Sequence, residues 1–237
     1  NLINNGNLVM SSTSTLLFNN GSVAQSITGS FTGANKIGNL TITKTGSSVT
    51  LNNAIDIGGN FTTSNSTSIL DVNNQVVKLA GNFSTAANTT LTNCPTIEFN
   101  GTIPQTFTNS SGTITWTNVT VNNSGGGITP TGTSTSNLVI AGVLTLTNGI
   151  IYTAATPILI MNAGSSVSGG GTSSFVDGPM QKIGNTNFVF PVGDAFNYWA
   201  QIGISGISAS TTFQAQYFKT GYTNTTSMCG TPTPVVN

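Results

Sequence analysis

The chain has 237 residues, of which only 4% are charged, and its five basic and five acidic residues cancel. Nucleic-acid binding needs clustered Lys or Arg, and so does attraction to acidic membranes, so we expect neither a nucleic-acid partner nor a polybasic membrane anchor. No apolar run reaches the ~20 residues of a transmembrane helix, which predicts no direct membrane insertion. The chain is rich in β-branched and aromatic residues, which disordered segments lack, so we expect it to fold.

A Gly-Asn-apolar triplet recurs along the first third of the chain. The last two spacings between its copies are 21 and 22 residues. The copies begin at Gly6, Gly38, Gly59 and Gly81. Residues 39–42 also resemble residues 118–121, an echo of about 80 residues that we interpret as four of the short periods. Fixed periods of this kind are typical of repeat architectures.

Between the glycines, apolar residues alternate with hydroxyl or amide residues, as in residues 144–147. A period of two predicts β-strands, and no sustained helical period is present. The sequence therefore predicts an all-β fold: a β-solenoid of parallel β-helix-like coils of about 22 residues, roughly 40 Å long. A β-sandwich is the alternative, but it gives no reason for the repeated triplet.

The pattern changes near residues 169–171, after which the strands are longer, more aromatic and differently spaced. We therefore predict a solenoid repeat region over residues 1–171 and a smaller β-sandwich-like terminal unit over residues 172–237. That unit would cover the open end of the solenoid, which is otherwise an exposed sheet edge. Residues 231–234, Thr-Pro-Thr-Pro, are typical of a linker.

Three segments carry a resemblance to a known family. Residues 174–180 (SFVDGPM), 188–194 (FVFPVGD) and 212–217 (TFQAQY) resemble a module of the large, repeat-rich surface proteins and adhesins of Bacteroidetes. The coils before them, with their LTLTNG at residues 144–149, are similar in composition. The resemblance implies export by the type IX secretion system and an extracellular or cell-surface location. It brings no catalytic residues, and neither a signal peptide nor a sorting domain is recognisable, so we expect a fragment of a longer protein.

The titratable residues do not form a catalytic pattern. Without histidine there is no Ser-His or Cys-His pair, and the acidic residues are not spaced by one coil. Asp177 and Asp194 could approach each other in the terminal unit, although both also suit turns beside glycines. We therefore expect no enzyme, no cofactor and no metal site. A disulfide between Cys94 and Cys229 and a buried free thiol at Cys94 both remain open.

Hydroxyl side chains follow several of the coil glycines at fixed offsets and are predicted to point outwards as a ladder. Such an array could bind ice or a regular polymer. Threonine is also favoured on exposed strand faces for its own sake, and Ser84 and Ala86 interrupt the rows, so we expect no strong ice binding. The predicted ladder consists of Thr41, Thr43, Thr62, Thr145 and Thr147.

Aromatic side chains can stack on sugar rings, and four of them are candidate ligand contacts: Trp116, Tyr198, Trp199 and Tyr222. The alternative is that Trp199 and Tyr217 belong to the core of the terminal unit. We therefore predict a structural or adhesive surface protein, a rod-like stalk of a large secreted adhesin. The alternative is a carbohydrate- or surface-binding module. The predicted partners are surface polysaccharide or other copies of the same protein.

Overall fold

The computed structural model of the protein describes residues 1–19, 21–64, 67–112, 114–194 and 198–219. Regular structure in these ranges is β, apart from one 3-10 turn at Gly33–Asn35. Within the same ranges, no helix is long and apolar enough to cross a bilayer. The predicted fold class is confirmed: the chain is a β-solenoid of about eight turns with coils of ~23 residues.

From β5 onwards, successive coils contribute a strand to each of three faces, and equivalent strands pair in parallel; the first two coils supply strands to two faces only. The first face is sheet 1, the second is sheet 2, and the third is sheet 3 in the early coils and sheet 4 in the later ones. Sheet 1 contains β2 (Thr15–Asn19), β4 (Asn39–Thr43), β7 (Phe61–Thr63), β10 (Phe83–Thr85), β13 (Gln105–Asn109), β16 (Ile128–Thr131), β19 (Ile151–Tyr152), β22 (Val176–Asp177), β25 (Val192–Asp194) and β26 (Tyr198–Trp199). Sheet 2 contains β6 (Ile55–Ile57), β9 (Val76–Leu79), β12 (Thr96–Phe99), β15 (Asn118–Asn122), β18 (Val143–Asn148) and β21 (Ser166–Gly169).

The remaining strands complete the third face and the C-terminal end. Sheet 3 contains β1 (Leu2–Asn4), β3 (Gln25–Gly29), β5 (Ser48–Leu51), β8 (Ile69–Asp71) and β11 (Thr90–Thr92). Sheet 4 contains β14 (Thr115–Trp116), β17 (Leu138–Ile140), β20 (Leu159–Met161), β23 (Met180–Gly184) and β28 (Thr211–Ala215). A further pair is formed by β24 (Phe188–Phe190) and β27 (Ile202–Ile204).

The core consists of inward-pointing columns, because the period-two pattern turns every second side chain towards the axis. In sheet 1, Phe61 pairs with Phe83, and Phe83 pairs with Phe107. Their rings stack with centroids 5.0 and 4.8 Å apart. Coils therefore bury their apolar residues mainly against equivalent residues of the next coil, which favours one register along the stack.

The glycines of the triplet are required by the closeness of the coils. Gly38, Gly59 and Gly81 are absent from the glycines with positive φ, so an unusual backbone conformation is not the reason. A Cβ atom on Gly59 would lie 2.3 Å from Oδ1 of Asn39, and one on Gly81 would lie 2.3 Å from the carbonyl oxygen of Gly59. Only a residue without a side chain fits at this corner.

The asparagine of the triplet connects one coil to the next. The backbone N–H of Asn60 donates to Oδ1 of Asn39 at 2.7 Å, and that of Asn82 donates to Oδ1 of Asn60 at 2.8 Å. The ladder continues with the N–H of Thr106, which donates to Oδ1 of Asn82 at 2.8 Å. The triplet therefore holds successive coils together, because its asparagine side chains accept hydrogen bonds from the backbone of the next coil.

The echo of about 80 residues does not correspond to four coils. Residues 39–42 lie in β4 of sheet 1, whereas residues 118–121 lie in β15 of sheet 2. The same local sequence begins a strand on two different faces, because an amide at a strand start serves either face equally well. The echo therefore spans three coils and two additional faces, from β4 to β13 and then through β14 to β15.

The parallel stack continues past the boundary predicted at residue 172. Strands β22, β23 and β25 pair in parallel with β19, β20 and β22. The chain then reverses, and β26, β27 and β28 pair antiparallel with β25, β24 and β23. The change in pairing thus comes at Tyr198, and the last part of the described chain is a set of return strands along the final coil.

Candidate binding surfaces

Outward hydroxyl groups form a real column on sheet 1. Thr41 pairs with Thr62, which pairs with Ser84, and the column continues on β13 and β16. There Thr108 and Thr131 lie in register, with their Oγ1 atoms 2.6 Å apart. These two threonines were missed because their coils lack the glycine-asparagine triplet, although the alternation in residues 105–109 marks the strand.

The other three predicted ladder residues are not part of this column. Thr145 and Thr147 are on β18 of sheet 2, where Thr145 pairs with Thr120 and Ser168. Thr43 is on sheet 1, but it pairs with Asn19, and its Oγ1 donates to the carbonyl oxygen of Phe18 at 3.3 Å. The five residues therefore do not form one array, because Gly142 begins a strand on a different face from Gly38 and Gly59.

The candidate aromatic contacts have different environments. Trp116 is 1% exposed and packs edge-on against Phe83, with ring centroids 6.3 Å apart, so it offers no surface to a ligand. Trp199 is partly buried, and its ring lies 6.4 Å from that of Phe175. Tyr198 is 42% exposed, and Nζ of Lys219 lies 4.3 Å from its ring centroid. Tyr222 lies outside the described residues.

The acidic residues and cysteines form no reactive cluster in the part of the chain that the structure describes. Asp177 pairs with Gly193, so Asp194 is one residue out of register, and its side chain points to the opposite face of the sheet. No group of three His, Cys, Asp or Glu side chains that could hold a metal occurs among the described residues. Burial, and then the charge of Asp71, raises the pKa of the Cys94 thiol to about 12. Cys229 lies outside the described residues.

Four of the ten charged residues form a column of alternating sign on sheet 2. Asp56 pairs with Lys78, and Lys78 pairs with Glu98. Lys36 extends the column from the turn that precedes Ile37, which pairs with Ile57, and its side chain lies against Gly58. Nζ of Lys78 lies 2.9 Å from Oε2 of Glu98, and a hydrogen bond and the charge of Glu98 raise the pKa of Lys78. The sequence signal was present in spacings of 20, 22 and 20 residues.

The column borders a groove at the corner between sheets 1 and 2, which we call the corner groove. It crosses five successive coils and encloses about 600 Å³. Its floor is formed by the small residues that the close stacking requires, and its walls carry amide and charged groups. It is lined by Ser12, Gly33, Lys36, Asn39, Asp56, Ile57, Gly58, Gly59, Asn60, Lys78, Ala80, Gly81, Asn100, Thr102 and Ile103.

Two other lysines are buried inside the stack. Lys44 is 1% exposed, and its ammonium donates to the carbonyl oxygen of Val23 at 2.9 Å and to Oε1 of Gln25 at 3.0 Å. Lys182 is equally buried and donates to Oγ of Ser165 at 3.1 Å, and burial lowers its pKa. Both lysines satisfy polar groups of the coils, so their role is internal.

No known protein family matches the chain, and neither a curated protein nor a solved structure is detectably similar to it. The function of the chain is therefore inferred from its residues and from their arrangement.

Proposed function

We propose that the chain is a structural or adhesive rod segment of an extracellular surface protein, exported by the type IX route, and that it has no catalytic activity. The single observation that carries this proposal is the register of the stack. Core columns and amide ladders repeat from coil to coil, so each coil is tied to the next by the same contacts. Length is then obtained by repetition, which suits a stalk.

The surface composition supports the same role. The chain is neutral, and the outward column of sheet 1 presents hydroxyl groups rather than ionisable ones. A surface of this kind has little long-range electrostatic attraction for soluble proteins or nucleic acids. The resemblance of residues 174–194 to surface proteins of Bacteroidetes supports the proposed location.

Cell labelling tests the location. Antibodies against the chain should stain intact cells of the source organism as strongly as permeabilised cells, and protease added outside should remove the signal. Staining that requires permeabilisation would contradict the proposal. Catalytic silence is tested separately with polysaccharide and ester substrates: turnover that disappears in Asp177→Asn or Asp194→Asn would overturn it.

A carbohydrate- or surface-binding module is the second candidate, and the exposed ring of Tyr198 favours it. An exposed aromatic ring of this kind offers a surface on which a sugar ring can stack. On a glycan array, Tyr198→Ala should then lose binding, whereas Trp116→Phe, which changes a core position, should keep it. Equal binding by Tyr198→Ala and the parent chain would exclude this ring as the contact.

A further inference from the structure

The corner groove combines shape and charge in a way that the rest of the described surface does not match. Three of the ten charged residues of the chain line it, and a fourth, Glu98, is paired with one of them. Its volume falls within the range of known ligand pockets, about 300–1,000 Å³. A rod alone needs the glycine floor for stacking, but it does not need charged walls.

Lys36 is the charged group in the groove that is available to a ligand. Lys78 is paired with Glu98, and Oδ2 of Asp56 accepts from the backbone N–H of Gly33 at 2.7 Å. The exposed ammonium of Lys36 makes no hydrogen bond or ion pair within the described residues, and only the backbone N–H of this residue donates, to the carbonyl oxygen of Gly33. Its Cδ and Cε atoms would lie 3.1 Å from a Cβ on Gly58, so its stem rests on the glycine floor.

The amide ladder supplies hydrogen-bonding groups along the same groove. Because Oδ1 of Asn60 is held by the N–H of Asn82, its amide plane is fixed, and its Nδ2 makes no hydrogen bond within the described part of the chain. Oδ1 of Asn100, also in the lining, is a buried acceptor without a partner there. Successive coils repeat such groups at about 4.8 Å along the axis.

We propose that the corner groove binds a segment of acidic polysaccharide that lies along the solenoid axis. The ammonium of Lys36 contacts a carboxylate or sulfate group of the glycan, and Nδ2 of Asn60 contacts one of its hydroxyl groups. The five lining coils span about 19 Å, which accommodates an extended oligosaccharide. The single unpaired cation, with Asp56 beside it, does not suit the dense phosphates of nucleic acid, which need several cations.

Isothermal titration of the full chain tests this proposal with four probes: a uronic acid tetrasaccharide, a sulfated tetrasaccharide, a neutral tetrasaccharide and inorganic sulfate. At least one acidic tetrasaccharide should bind, and the affinity should fall with added salt. Lys36→Gln should weaken binding roughly tenfold, and Lys36→Glu should abolish it. Lys219→Gln removes a cation outside the groove and is the matched control, with unchanged affinity. Asn60→Ala should weaken binding without removing its salt dependence.

Several outcomes would overturn the proposal. Absence of binding by both acidic tetrasaccharides would do so, as would undiminished binding by Lys36→Glu. Equal affinity for the neutral tetrasaccharide would show that the cation does not recognise the ligand. Equal affinity for inorganic sulfate would indicate a simple anion site. Because Lys36 is exposed, both substitutions at this position should leave thermal unfolding unchanged. The result is independent of cell labelling, so failure of the rod proposal and failure of this one are distinguishable.

Discussion

The two ends of the solenoid differ in how their strand edges are treated. At the N-terminal end, β1 and β2 are the first strands of their sheets, and each pairs on one side only within the described residues. Large apolar side chains are also exposed there: Ile3, Val9, Leu17 and Val23. At the C-terminal end, the three return strands β26, β27 and β28 lie along the last coil, one on each face.

The difference shows that the coil itself does not terminate the stack. A coil at the end of a stack presents unpaired backbone N–H and C=O groups along the axis, and these groups favour the addition of another strand. The chain satisfies them at one end by reversing its direction, which turns a parallel edge into an antiparallel pair. The outer edges of β1 and β2 keep the capacity to pair with a further strand.

The largest effect is expected when the return strands, which distinguish the C-terminal end from the N-terminal end, are removed. A chain that ends at residue 194 lacks the return strands and exposes the edges of β23, β24 and β25. Because the neutral surface provides no like-charge repulsion, we expect this chain to self-associate at concentrations at which the full chain stays dispersed. Light scattering at equal concentrations measures it. A truncated chain that remains as monomeric as its parent would show that the return strands do not protect the end.

Glycine substitutions compare the stack with the return strands. Gly59→Val places a side chain against Asn39 of the neighbouring coil and should lower the free energy of unfolding by about 3 kcal/mol. Gly203→Val, in β27, is the matched control, because a Cβ there meets nothing within 4 Å. Urea unfolding measures the free energy of unfolding of both variants, and only Gly59→Val should show the large loss. Equal loss of stability would contradict the close stacking of the coils.

The stability of the folded chain is expected to fall at high pH because of Cys94, in the middle of the stack. Its thiol pKa is raised from 9.0 to about 12 in the folded chain, so the unfolded state loses its proton first. The contribution of this thiol to stability is therefore complete below pH 9 and is lost as pH rises from 9 towards 12, by about 1.4 kcal/mol per pH unit. Unfolding experiments at pH 8 and pH 10 should show a larger loss for the parent chain than for Cys94→Ala. An equal loss of stability in the parent chain and in Cys94→Ala between these pH values would argue against the burial of this thiol.

The smallest expected effect compares two asparagines with the same kind of hydrogen bond. Asn60 accepts from the N–H of Asn82 at 2.8 Å between coils, whereas Asn187 accepts from the N–H of Gly206 at 3.3 Å near the return strands. Asn60→Ala should cost about 1 kcal/mol, and Asn187→Ala should cost less because its hydrogen bond is longer. Thermal unfolding measures both. A larger loss at Asn187 would reverse the inferred order of the two regions.

Local pattern in the sequence was sufficient to predict the coil. The alternation of apolar and polar residues fixes the strands, and the triplet at Gly38, Gly59 and Gly81 fixes the repeat. The face of a strand was not predictable from the same signal: Thr145 follows Gly142 as Thr41 follows Gly38, yet they lie on different sheets. A glycine marks the start of a strand and carries no information about which corner it occupies.

Features that depend on distant pairing were also missed. The return strands pair residues such as Met180 with Ala215, and nothing in either segment alone marks that partner. The charge column was missed for another reason. Only pairs of acidic residues were compared, whereas the column alternates in sign from Lys36 to Glu98. A search for any charged residues one coil apart would have found it.

The central claim, that equivalent residues stack coil on coil, is tested most directly by distances along one outward column of sheet 2. Asp56 is followed in register by Lys78, Glu98, Thr120, Thr145 and Ser168. In a chain whose native cysteines are replaced, one nitroxide label is attached at residue 56 and a second at residue 120, 145 or 168. Double electron–electron resonance spectroscopy should then give distances that correspond to backbone separations of about 14, 19 and 24 Å. Distances that do not increase by about 4.8 Å per coil would contradict the solenoid.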